Sequence, residues 1–116
     1  MKVGEVCLLT NNVVRLANFY KMLFNIDNGS NDSDHQFIFS EETMLTVYND
    51  GIERNNSPQN ICIAFTVDDV DAEFERVKAL GVEIVSPPTM QPWGAKNMRF
   101  LDPDNNLITF RCFPNT

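Results

Sequence analysis

The sequence predicts an α+β domain of two βαβββ modules, and two observations carry that prediction. Within each half, apolar residues alternate as in a strand, then recur at helical spacing, then alternate again. The two halves also fall into register at a constant offset of 57 residues, with Cys62 laid on Glu5. At that offset Asp69 falls on Asn12, Val70 on Val13, Phe74 on Ala17, Val77 on Tyr20 and Leu80 on Leu23. Coincidence of strand, cap and helix face at half the chain length indicates an internal duplication. The length of 116 residues and the 43% hydrophobic content suit one domain over 1–116, with module 1 about 1–58 and module 2 about 59–116.

The elements follow in order. "VGEVCLLT" (3–10) has strand character, Asn11-Asn12 supplies an N-cap, and Val13, Leu16, Ala17, Tyr20, Leu23 and Phe24 form one helical face. "NIDNGSNDSDH" (25–35) reads as a polar loop holding the single histidine, His35, in a solvated position. "QFIFS" and "TMLTVYND" are short strands around a turn at Glu41-Glu42, and "GIERNNSPQN" is a closing loop. In the second half "ICIAFTV" is a strand, Asp68-Asp69 cap a helix, and Gly81 ends it. "VEIVS", a Pro87-Pro88 loop, "NMRFLD" and "LITFRCF" complete the module.

Composition excludes several classes of function. Sixteen acidic against nine basic residues give a net charge of −7 without a Lys/Arg cluster, so a nucleic-acid partner is not expected. No run of eighteen apolar residues and no cleavage pattern occurs, which predicts a soluble, cytoplasmic protein without a membrane partner. Cys7, Cys62 and Cys112 are odd in number and widely spaced, unlike a disulfide framework. Phosphate-binding, dinucleotide and nucleophile-elbow motifs are missing. Asp102, Asp104 and Asn106 imitate the start of a calcium loop, but Leu107 and Phe113 occupy the positions of its glycine and bidentate glutamate.

One stretch is more specific. Pro92-Trp93-Gly94, then Phe100, then Asp102-Pro103-Asp104 and Asn106, together with "VVRLANFYKMLF" and "VDDVDAEFERVKALGV", resemble the vicinal oxygen chelate superfamily. That superfamily includes glyoxalase I, extradiol dioxygenases and bleomycin-resistance proteins, and the likeness covers nearly the whole chain. Pro103 fixes one turn corner, and Asn105 replaces the usual glycine as the next best residue for positive φ. The resemblance implies curled sheets forming a cup, completed in many members by a second subunit, so a homodimer is expected.

The resemblance also implies metal ligands on the first and last strands of each module. Carried over position by position they become Glu5, Leu45, Cys62 and Thr109. A carboxylate, a thiol, a hydroxyl and a leucine are an incomplete set for a hard divalent ion, so neither metal nor cofactor is expected. Glu5 is a candidate general base or a solvated carboxylate at the mouth of the cup. Cys62 is a candidate nucleophile or an inert packed thiol. Trp93, between proline and glycine, offers a face for stacking and cation–π attraction, or else plugs the core or a dimer seam. Phe37 and Phe39 share a strand face and are candidate walls, although alternation leaves open which face meets a ligand and which a helix. By register with Glu5 and Cys62, the lining also takes in Cys7, Leu9, Ala64 and Thr66.

The expected function is metal-free binding of a hydrophobic or cationic small molecule, an antibiotic among the candidates. Its expected ligand contacts are Trp93, Glu5, Cys62, Phe39 and Thr109. The alternative is a lyase or dioxygenase with an atypical metal site at Glu5.

Overall fold

Asn12 starts the first helix as its side chain allows, accepting the backbone N–H of Arg15 at 3.2 Å. The computed structural model describes residues 1–56 and 61–114. The chain divides into two units, Met1–Asn55 and Asn56–Thr116.

The first unit contains β1 (Val6–Leu9), α1 (Val13–Phe24), β2 (His35–Ser40) and β3 (Thr43–Tyr48). Its sheet has the order β1-β3-β2, with β1 parallel and β2 antiparallel to β3. Val13, Leu16, Ala17, Tyr20 and Leu23 of α1 are buried, together with Ile38, Leu45 and Val47 of the sheet. Asn25 ends the helix in the left-handed conformation, φ 57°, where its cap N–H reaches back to the last turn.

The expected βαβββ count is one strand short here, because β2 and β3 alone follow the helix. The cause lies in the loop "NIDNGSNDSDH". Asp27 accepts Gly29 N–H, Asn28 accepts Ser30 N–H, and Asp32 accepts both Asp34 and His35 N–H. Such Asx turns satisfy locally the amides that a strand ladder would use. The side chain of Asn28 then donates to Phe37 O at 2.6 Å, bonding a β2 carbonyl in place of a further strand.

The second unit has the full pattern: β4 (Cys62–Thr66), α2 (Val70–Ala79), β5 (Glu83–Met90), β6 (Lys96–Leu101) and β7 (Leu107–Cys112). Its strand order is β4-β7-β6-β5, with β4 parallel to β7. Val70 and Val77 of α2 are buried with Met98, Phe100, Ile108 and Phe110, and the Phe100 and Phe110 rings meet edge to face at 5.0 Å. Asp69 caps α2 through Ala72 N–H, and Gly81 follows it at φ 79°. The two helices thus start 57 residues apart, the offset read from the sequence.

Pro87-Pro88 lies inside β5 rather than in a loop. Two prolines are tolerated there because β5 is an edge strand, and its register with β6 shifts on both sides of Ser86.

The turn between β6 and β7 is tied by one carboxylate. Asp102 Oδ1 accepts the N–H of Asp104 at 2.8 Å and of Asn106 at 2.9 Å, while Asn106 Nδ2 donates to Asp102 Oδ2. Asn105 takes φ 66°, as its place in the turn requires. The described part of "GIERNNSPQN" ends at Asn56, and 57–60 lie outside the described residues.

Candidate functional site

In each unit the helix covers one face of the sheet and leaves the other to the residues singled out in the sequence. On β2 the question of faces is resolved: Gln36 and Ile38 are buried, whereas Phe37 and Phe39 are 54% and 60% exposed. Phe37 pairs with Thr46, which pairs in turn with Cys7 on β1. His35 opens β2 opposite Tyr48 and is not a loop residue. Its ring centroid lies 4.6 Å from that of Phe37 and 5.0 Å from that of Tyr48. The open face of the first sheet is therefore a row of rings with a thiol beside it. Asp32, just ahead of this strand, is held below the usual carboxylate range by the N–H groups of Asp34 and His35.

Glu5 is exposed, one residue before β1. Because Val6 pairs with Leu45, continuing the register places Glu5 in the row of Met44 and Phe39. The first-unit counterpart of Thr109 is consequently not Leu45. Leu45 is buried in the helix-facing layer, and the residue on the open face is Thr46, which pairs with Cys7 just as Thr109 pairs with Ala64. A one-residue slip along a strand exchanges faces, which is why the sequence position misled.

In the second unit Cys62 and Thr109 come together, Sγ to Oγ1, at 3.0 Å. Cys62 is exposed at the start of β4, and Thr109 is buried in the middle of the sheet. The hydroxyl carried over as a ligand position thus has a thiol as its neighbour. Ala64 and Thr66 share the open face with Cys62. Arg99, opposite Thr109, and Arg111, opposite Asn97, stand on the same face. Neither arginine was identified from the sequence, because their membership of this face depends on cross-strand register and not on spacing.

Trp93 sits at the tip of the β5–β6 hairpin, closed by Gln91 N–H to Ala95 O at 2.7 Å, with Gly94 at φ 93°. At 65% exposure it is no core plug. Its indole is presented outward from the turn that follows the two-proline strand.

Donor chemistry can now be tested at the positions carried over. They hold a carboxylate at Glu5, hydroxyls at Thr46 and Thr109, and a thiol at Cys62. Within either unit, no three His, Cys, Asp or Glu side chains among the described residues gather as a metal centre requires. A carboxylate, two hydroxyls and a thiol are a sparse donor set for a hard divalent ion.

The sequence profile of the Glyoxalase/Bleomycin resistance protein/Dioxygenase superfamily matches residues 2–110. The chain belongs to that superfamily. Among its relatives, the uncharacterized protein YraH of Bacillus subtilis (strain 168) is 27% identical over 127 residues, covering 93% of this chain and 95% of that protein. YetH of the same organism is 27% identical over 70 residues, and this match spans 60% of this chain and 58% of YetH. The crystal structure of a glyoxalase/bleomycin resistance protein/dioxygenase from Nocardioides is similar in fold, with TM-score 0.81 and 19% identity over 97% of this chain and 83% of that one. The two mixed sheets and two helices seen here are an α+β fold that matches such structures. No helix among the described residues is long and apolar enough to cross a membrane.

Proposed function

We propose that this superfamily member binds an apolar or cationic small molecule without a metal ion. The observation that carries the reading is the ring-lined open face of the first sheet, where Phe37, Phe39, Tyr48 and His35 stand together. Exposed aromatic rings on a rigid strand lose little entropy on binding, and their faces attract both apolar ring systems and cations. The net charge of −7 assists the approach of a cation. On the first unit Glu5 adds a polar group; on the second, Trp93 offers a ring on the same reasoning, and Cys62 and Thr109 offer polar groups of their own. Threonines where ligating carboxylates would stand support binding without a metal. The three free cysteines agree with a cytoplasmic protein, and the likeness to bleomycin-resistance proteins supports a homodimer and an antibiotic ligand.

Calorimetric titration with metal-free bleomycin in the presence of EDTA tests this reading. Saturable binding is expected, weakened about tenfold in the double variant Phe37→Ala, Phe39→Ala. A stoichiometric divalent ion in protein purified without chelator, lost in Glu5→Ala, would overturn it in favour of a lyase or dioxygenase.

A further inference from the structure

The open face of the second sheet is unlike that of the first. Arg99 and Arg111 are diagonal neighbours on adjacent antiparallel strands, positions that stand about 7–8 Å apart across a ladder. Like charges so placed repel, and a nearby carboxylate is the usual remedy. Elsewhere this acidic chain supplies one: Arg54 pairs with Asp50, Arg76 with Glu73, and Lys96 with Asp71. Here it does not. Arg111 Nε donates to Thr66 Oγ1 at 3.1 Å, and its guanidinium carbon lies 5.4 Å from the Phe113 ring centroid. Arg99 is exposed, and its side chain makes no ion pair or hydrogen bond among the described residues. The acid nearest to it along the ladder, Glu83, stands opposite Leu101 and forms no ion pair with it.

The surroundings are polar but not acidic. Thr109 stands between the two arginines in the ladder, opposite one and two residues from the other. Asn97 Oδ1, on the same face, is buried without a hydrogen-bond partner. Beside them Ala64 and Cys62 offer a small, exposed, weakly polar surface.

We propose that this face is an oxyanion subsite, in which Arg99 and Arg111 hold the carboxylate or phosphate group of a small organic ligand whose apolar body lies over Ala64 and Cys62. Two guanidinium forks match the paired oxygens of such a group, and an arriving anion removes the repulsion between them. Asn97 Oδ1 then accepts from a hydroxyl or amine next to the acid group. The subsite rests on the small-molecule reading above and assigns the second unit's open face a ligand that carries an acidic group.

The test is an NMR titration of the intact chain with benzoate, phenylphosphonate, benzylamine and benzyl alcohol. Benzoate or phenylphosphonate is expected to shift the amides of Thr66, Arg99 and Thr109 saturably, with Kd raised about tenfold in Arg99→Gln and in Arg111→Gln, and raised again by 0.5 M salt. Both arginines are on an exposed face, so amide dispersion is expected to stay native in each variant. Tighter binding of benzylamine or benzyl alcohol at those amides overturns the subsite, as does a benzoate Kd that neither variant changes. If bleomycin binds and the two anions do not, the subsite fails and the proposed function stands; if no compound binds, both fail.

Discussion

The two halves follow one plan and diverge wherever residues face away from the helix. Both begin with a strand, an Asx-capped helix and a parallel pairing of that strand with the last strand of the unit. Both bury the pairs Val13/Val70 and Tyr20/Val77, while Phe74 and Leu80 of the second unit are less covered than Ala17 and Leu23, their counterparts in the first. The first, however, stops at three strands and presents aromatic rings, whereas the second completes four and presents two arginines beside a thiol and a hydroxyl. Packing against a helix limits what can change on the inner face, because a core is close-packed and feels each added or lost methylene. The outer face carries no such restraint, so after duplication it is where the halves acquire different chemistry.

Their turns differ as well, and this gives the sharpest ways to break the comparison. The largest effect is expected at Asp102, whose carboxylate bonds two backbone amides and one side-chain amide in a buried turn. Asp102→Ala leaves those donors without their partner and should cost about 2–3 kcal/mol, measured by chemical denaturation. A loss below about 0.5 kcal/mol would mean that water replaces the carboxylate and that the second turn is no better anchored than the first.

The first unit's hairpin turn has the opposite character. Glu41 and Glu42 sit at φ 47° and 66°, a backbone suited to Asn-Gly, and place two like charges side by side. The double change Glu41→Asn, Glu42→Gly should raise stability by about 1–2 kcal/mol, seen as a higher denaturation midpoint with unchanged m-value. No gain would show that the turn is unstrained and that the halves differ less than their dihedral angles indicate.

The smallest effect concerns the loop after β3. Arg54 lies 2.6 Å and 2.9 Å from the two carboxylate oxygens of Asp50 and holds that group down at about 2. A depressed carboxylate favours the folded state above its ordinary titration range, and this favour fades as pH falls from about 4 through about 2. NMR titration should place the Asp50 midpoint near 2 and return it to the ordinary range in Arg54→Ala. Water surrounds the pair, so the change in overall stability should be slight.

Sequence periodicity made the helices legible because caps and apolar spacing are local signals. Asn12, Asp69 and Gly81 each perform the role that their side chains suggest. What stayed hidden depended on pairing between distant segments. Thr46, and not Leu45, is the open-face residue of β3 because β1 pairs in that register, and a strand's own alternation cannot distinguish its two faces. His35 reads as a loop residue until its partner Tyr48 is known. The strand missing from the first unit was foreshadowed by Asn and Asp in 25–35, since those side chains capture the amides that a ladder needs.

Pro87-Pro88 has a consequence beyond its own strand. The outer margin of a sheet is a template on which another chain can add a strand, and this is the route by which ordered aggregates grow. Two consecutive residues without an amide proton, flanked by breaks in register, make the β5 margin a poor template. A protein that displays bare phenylalanines and a bare tryptophan to solvent therefore carries, on its outermost strand, a brake against self-propagating assembly.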